Sequence, residues 1–384
     1  MKRIAIAGAG FSGAVIARQL AEAGCRVEVF DTRPHIAGNC HTTRDEGSGV
    51  MLHAYGPHIF HTSNQAVWDY IRRFGEFMPF VNRVKTITGG RVFSLPLNLL
   101  TINQFFGRTF SPAEAEVFFD QIGERGIGTP ANFEEQALRL MGRELYEAFF
   151  KGYTTKQWGV GPEALPASIL KRLPVRFNYD DNYYASRYQG MPRDGYTAIV
   201  GRILEHPAIT VSLGSRLDRG AAEHYDHVFW SGPLDAWFSC CDGRLGYRTL
   251  DFEREDHRGD YQGNAVINYG DLTVPWTRIS EHKHFAPWEE HDRTVIFKEY
   301  SRTCEASDTP YYPIRLAKEK ALLTQYVDRA RSESKVTFVG RLGTYRYIDM
   351  HVTIAEALDT AEKYLASLGT GVALPPFVTD PLAA

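Results

Sequence analysis

Between Tyr146 and Tyr188 flat rings recur at Phe149, Phe150, Tyr153, Trp158, Phe177, Tyr179, Tyr183, Tyr184 and Tyr188, with Thr154, Thr155, Lys156, Gln157, Asn178, Asp180, Asp181 and Asn182 interleaved. Rings that stack beside groups that bond hydroxyls make a wall suited to a sugar or a nucleobase. Two cations stand apart in the chain. Arg172 follows Lys171 in a segment at 159–174 framed by Gly161-Pro162, Pro166 and Pro174, which suits a mobile lid. Arg278 ends the run Val274-Pro275-Trp276-Thr277. Each guanidinium offers a planar fork of donors, so two from distant segments can clamp a diphosphate. The loop from Leu52 to His61 adds His53, His58 and His61. His58 and His61 have no acid close in sequence, so contact with a cofactor is favoured over metal ligation. There is no GxSxG elbow, HExxH pair or Walker loop, and no recognisable nucleophile and base. A bound cofactor must then carry the reactive atom.

The elements that position these groups begin at the N-terminus. Arg3 to Ala7 reads as a buried strand, Gly8-Ala9-Gly10-Phe11-Ser12-Gly13 as a phosphate turn, and Ala14 to Ala21 as a helix that stops at Gly24. Gly8 allows the tight turn, Gly10 the approach of a pyrophosphate, and Gly13 the close packing of helix on strand. Asp31 ends the second strand, 18 residues past Gly13, where an acid accepts hydrogen bonds from a ribose. Near the C-terminus strand, glycine and helix recur at Lys335 to Arg341 and Val352 to Leu358. A late strand returning beside the first, with its loop at the pyrophosphate and flavin end, favours FAD over NAD.

The predicted class is therefore α/β. A discontinuous, Rossmann-like FAD-binding domain (1–76, 191–244 and 315–384) carries an inserted helical bundle (97–172) and an antiparallel β-sheet domain (77–96, 173–190 and 245–314). A hairpin is expected around Gly89-Gly90, and a capped helix start at Ser111-Pro112-Ala113-Glu114. A net charge of -3 provides no basic field for nucleic acid or an anionic membrane. Five scattered cysteines without CxxC spacing suggest neither a disulfide framework nor a zinc site, and fit a reducing cytoplasm. No apolar run is long enough to span a bilayer, and the three glycines weaken any reading of the N-terminus as a signal peptide.

The strings Gly56-Pro57-His58-Ile59-Phe60-His61-Thr62, Tyr153-Thr154-Thr155-Lys156-Gln157-Trp158-Gly159, Ile169 to Arg176, Tyr261-Gln262-Gly263-Asn264-Ala265 and Gly340 to Met350 resemble, in order and over nearly the whole chain, the bacterial UDP-galactopyranose mutases. The resemblance implies a homodimeric cytoplasmic flavoenzyme that interconverts UDP-galactopyranose and UDP-galactofuranose, the latter feeding cell-surface glycans. It implies that reduced FAD attacks the anomeric carbon as UDP leaves, that the sugar opens and recloses on the flavin, and that no net redox change results. Arg172 and Arg278 would hold the diphosphate, and Tyr183, Tyr312 and Tyr347 its oxygens. Phe149, Phe150, Tyr153, Thr154 and Trp158 would cradle uridine or border the sugar, with Asn82 and Asn268 at the sugar or phosphate edge. Gly8, Gly10, Phe11, Ser12, Gly13, Asp31, Gly38, Asn39, Leu217, Arg341, Asp349 and Met350 would line FAD, and His58 would face its reactive nitrogen. Trp276 departs from the family, which more often has Tyr there. No metal, nucleic acid or membrane is implied. Two alternatives remain: an amine-oxidase-like FAD oxidoreductase, and a non-catalytic protein that binds a nucleotide sugar.

Overall fold

The computed structural model of the chain describes residues 1–172 and 175–383, with the side chains of Lys171, Arg172 and Ala317 outside the described set. The expectations for Arg172 and for the end of the 159–174 segment fall there. Among the described residues the strands form four sheets.

The strand Arg3–Ala7 is apolar on both faces because it lies at the centre of a parallel sheet. The order is Ile209–Leu213, Arg26–Asp31, Arg3–Ala7, His227–Trp230, Val336–Phe338, with every neighbour parallel. Helices Phe11–Glu22, Gly195–Leu204 and Met350–Thr370 cover one face through Val15, Ile199 and Ile354. Helices Leu234–Trp237 and Ala317–Ala330 cover the other through Trp237 and Leu323. This is the Rossmann-like arrangement. One expectation is corrected: the late strand does not lie beside the first, because His227–Trp230 occupies that place and Val336–Phe338 sits one position further out. Both strands are equally apolar in sequence, and crossover connections, not strand composition, set neighbour order in a parallel sheet.

The largest sheet runs Tyr312–Pro313, Tyr247–Arg258, Arg293–Thr303, Arg278–Glu281, Val266–Tyr269, Val84–Thr88, Arg91–Leu95. It is antiparallel except where Val266–Tyr269 meets Val84–Thr88. Gly89 and Gly90, both at positive φ, make the expected hairpin turn. Phe60–Thr62, Tyr188–Pro192 and Phe77–Pro79 form a separate small sheet, whose Phe60 and Met191 pack into the cofactor-side core. The stretch 77–96 thus contributes to two different sheets, and the strand at Tyr188–Pro192 to the small one.

A third core, including Phe93, Phe119, Phe133, Leu145 and Phe149, lies among the helices between Leu99 and Trp158. Ser111 and Glu114 form the expected reciprocal cap. Apolar periodicity did not foretell that Tyr146–Lys151 is π-helical. Such turns re-aim side chains and recur at functional sites, and this one carries Phe149 and Phe150. Among the described residues no helix is long and apolar enough to cross a membrane.

Candidate active site

The cofactor-side cradle is made chiefly of backbone. Gly8 turns the chain at φ 105°, and a Cβ there would meet Ser231 Oγ at 2.1 Å. A Cβ on Gly13 would lie 1.9 Å from the Gly8 carbonyl oxygen, so the helix can approach the strand only without a side chain. Gly10 and Gly38 face each other, with a Gly38 Cβ falling 3.4 Å from Gly10 Cα. Helix Phe11–Glu22 has no side-chain cap, which leaves its first amides and its positive end for an anion. Asp31 accepts from the Ala9 amide at 2.8 Å and the Arg33 amide at 2.9 Å, and a carboxylate has further acceptor capacity for a ribose. Arg33 Nη2 donates to Asn39 Oδ1 at 2.8 Å. The Ser215 amide bonds the Asp31 carbonyl at 2.9 Å, tying the segment before Leu217 to this edge; Leu217 itself is buried. At the other end Gly340, at φ 72°, comes so close to Ser12 that a Cβ would sit 2.4 Å from its hydroxyl. Narrow glycine-lined backbone around an uncapped helix start fits a dinucleotide pyrophosphate.

His58 donates from Nδ1 to the Gly56 carbonyl at 2.9 Å, because a carbonyl can only accept. Burial, reinforced by the Arg341 charge, pushes this imidazole down to about 4. It is therefore neutral near pH 7, with a bare Nε2. His61 stacks on Tyr184 at 3.7 Å and bonds Ser186 Oγ at 3.0 Å, and it shares a His-Asp-His donor set with Asp349 and His351, whose ligand atoms lie within 4.8 Å of one another.

The second half of the site is made of side chains from distant segments. Arg278 lies close enough to bias Tyr153, Tyr183, Tyr312 and His58, which places all five in one neighbourhood. Burial opposes the Arg278 charge, but Glu299 beside it raises the guanidinium well above its ordinary value. Nε donates to Glu299 Oε1 at 3.0 Å, and Glu299 is 2% exposed. Sequence reasoning missed Glu299. Its signal is an acid in register with the inward-facing Val295 and Phe297 of one strand, directly across from Arg278 on the next. Burial also raises Tyr153, Tyr183 and Tyr312, so their hydroxyls keep their protons as donors.

Arg341 donates from Nη1 to the Tyr311 carbonyl at 3.2 Å and from Nη2 to the Ile348 carbonyl at 2.7 Å. Its guanidinium carbon lies 4.9 Å from the Tyr347 ring and 5.8 Å from that of Tyr312. It thereby fixes two tyrosines relative to each other. Asp349 stands at the N-cap position of the last helix without a side-chain capping bond, and Met350 opens it. Asn82 and Asn268 are buried with no partner at Oδ1, and the Tyr183 amide bonds the Asn82 carbonyl at 2.9 Å. Thr154 is buried and Trp158 partly so, on the short helix Gly152–Trp158. Phe149 turns into the helical core, where its ring contacts Phe93 and Phe105.

Fold and site together define an enzyme built on a Rossmann-like dinucleotide-binding domain. A family model described as NAD(P)-binding Rossmann-like domain matches residues 6–74, and one described as UDP-galactopyranose mutase matches residues 148–347. The chain belongs to the UDP-galactopyranose mutase family. It is 58% identical over 376 residues to a Klebsiella pneumoniae protein described as a probable UDP-galactopyranose mutase, covering 98% of each. It is 49% identical over 374 residues to an Escherichia coli dTDP-fucopyranose mutase, covering 95% of this chain and 99% of that one. The crystal structure of a reduced UDP-galactopyranose mutase matches its fold with a TM-score of 0.73 over 96% of each chain, at 16% identity.

Proposed function

We propose that this chain interconverts UDP-galactopyranose and UDP-galactofuranose with a bound, reduced FAD. It works as a cytoplasmic homodimer whose product feeds cell-surface glycans. The observation that carries the reading is the Arg278–Glu299 pair, set among three proton-retaining tyrosines in a chain so similar to a probable UDP-galactopyranose mutase. The glycine-lined cradle, with Asp31, Arg341 and Asp349 at its rim, holds the dinucleotide. When bound and reduced, the flavin supplies an electron-rich nitrogen able to displace UDP from the anomeric carbon and later be released unchanged in oxidation state.

The chain's own residues do the rest. Arg278, kept charged by Glu299, neutralises the β-phosphate as the glycosidic oxygen departs and retains UDP for the return. Arg172 is the second clamp. Tyr183, Tyr312 and Tyr347 donate to phosphate oxygens, and the partnerless oxygens of Asn82 and Asn268 accept from sugar hydroxyls. Tyr153, Thr154, Trp158, Phe149 and Phe150 support the uridine and sugar side. Neutral His58 accepts a proton at Nε2 from the sugar hydroxyl that attacks the anomeric carbon as the ring recloses. We divide the chain accordingly into a cofactor domain, a helical lobe and a sheet lobe, at the boundaries expected from sequence.

The test is chromatography of UDP-galactofuranose incubated with dithionite-reduced and with oxidised protein. The reduced protein is expected to give UDP-galactopyranose without consuming reductant, and the oxidised one nothing. Peroxide production would point to an oxidase, and binding without product to a sensor. Running dTDP-fucopyranose alongside reports which base and sugar the cleft prefers, since the Escherichia coli relative is described as acting on that compound.

A further inference from the structure

Lys156 donates from one ammonium to four backbone carbonyls: Tyr269 at 2.8 Å, Asp271 at 3.0 Å, Val274 at 3.0 Å and Trp276 at 2.9 Å. An ammonium has three N–H bonds, so at least one is shared, and no neutral side chain of that reach can gather four acceptors. Tyr269 ends strand Val266–Tyr269, and the other three lie in the turn that joins it to strand Arg278–Glu281. At the mouth of that turn Asn268 and Arg278 are register partners.

The lysine itself stands on the helix Gly152–Trp158, between Thr154 and Trp158. Helix and turn meet backbone to backbone. A Cβ on Gly152 would lie 2.1 Å from the Gly270 oxygen, and one on Gly270 would lie 2.8 Å from the Ala148 oxygen. The turn's far side is held separately, by Asp271 accepting from the Gly89 amide at 3.0 Å and the Thr88 hydroxyl at 3.1 Å. The helix end is held by Arg248 and Ser301, which both donate to the Gln157 carbonyl. Lys156 is thus a side-chain link, hydrogen-bonded to four carbonyls, between the aromatic helix and the turn that bears the diphosphate-binding arginine.

We infer that Lys156 is a positioning residue for the nucleotide sugar, which sets the spacing between Tyr153, Thr154 and Trp158 on one wall and Asn268 and Arg278 on the other without touching substrate. The inference rests on the reading of the cleft as a UDP-sugar site. Loss of the ammonium frees the turn, and the cost falls on binding of the nucleotide as a unit, hence on KM more than kcat.

The experiment uses the FAD-loaded protein with Lys156→Gln, Lys156→Met and Lys156→Arg. Three readouts are flavin content, KM and kcat for UDP-galactofuranose, and hydrogen exchange of the 270–277 amides. Expected are undiminished flavin, KM raised about 10-fold for Gln and about 100-fold for Met, kcat within about 3-fold, faster exchange in the turn, and substantial recovery in Lys156→Arg. Wild-type KM in a flavin-loaded Gln or Met variant would overturn the inference. So would loss of flavin or of folding in both the Gln and Arg variants, which would make Lys156 a residue of the fold alone. Calorimetric titration with UDP reads the same change in affinity, so a wild-type chain that fails to isomerise the sugar counts against the functional reading and leaves the Lys156 test standing.

Discussion

The two halves of the cleft are built from different materials. At the cofactor end the shape comes from backbone: Gly8, Gly13 and Gly340 let chain segments approach to distances that a Cβ would obstruct. At the nucleotide-sugar end it comes from charged and aromatic side chains, led by Arg278 and Glu299, brought together from segments far apart in sequence. Backbone shape tolerates no added atom but is indifferent to charge. A side-chain site survives truncation as a fold and fails as chemistry.

The sharpest break of this contrast is Gly13→Val. Its Cβ would overlap the Gly8 carbonyl, and we expect protein without bound flavin, read by absorbance of the purified chain. Arg278→Ala should do the opposite. Flavin content stays full while kcat/KM falls about 1,000-fold, because an electrostatic contact made to the leaving group is lost. Arg172→Ala is expected to behave alike. Glu299→Gln keeps the shape and removes the charge that holds Arg278, so kcat/KM should fall about 30-fold, again at full flavin content. Equal flavin loss in these side-chain variants would erase the distinction.

A smaller effect concerns the seam between the halves. The His53 amide donates to His282 Nδ1 at 3.2 Å, and His282 is fully buried. Burial first, and Arg254 second, hold His282 down to about 3. In the unfolded chain its pKa returns to about 6.5, so the unfolded state takes up the proton first as pH falls. Stability from this group is complete above that pH and is lost between about 6.5 and 3, amounting to about 2 kcal/mol at pH 5. Urea unfolding at pH 7 and pH 5 should show the loss in the wild type, and His282→Gln should reduce it.

The same contrast decides what could be read from the sequence. The phosphate turn, the hairpin at Gly89-Gly90 and the cap at Ser111 are local, and each residue type is required by a backbone conformation within a few positions. Arg278 and the aromatic wall were visible as chemistry, but their meeting was legible only through family resemblance. Glu299 and the grip of Lys156 were not legible, because both depend on strand register and on a turn more than 100 residues from the lysine. The place of Val336–Phe338 was misjudged for the same reason: two equally apolar strands compete for one neighbour, and long crossovers decide.

The central claim is that UDP parts from the sugar and is kept in the cleft by the guanidinium side until the ring has reclosed. Positional isotope exchange measures this directly, using UDP-galactopyranose with oxygen-18 between the anomeric carbon and the β-phosphorus. With the reduced holoenzyme the label is expected to spread to the non-bridging β-phosphate positions of the recovered pyranose, while no free UDP accumulates. Formation of the furanose with the label still wholly in the bridge would contradict the account.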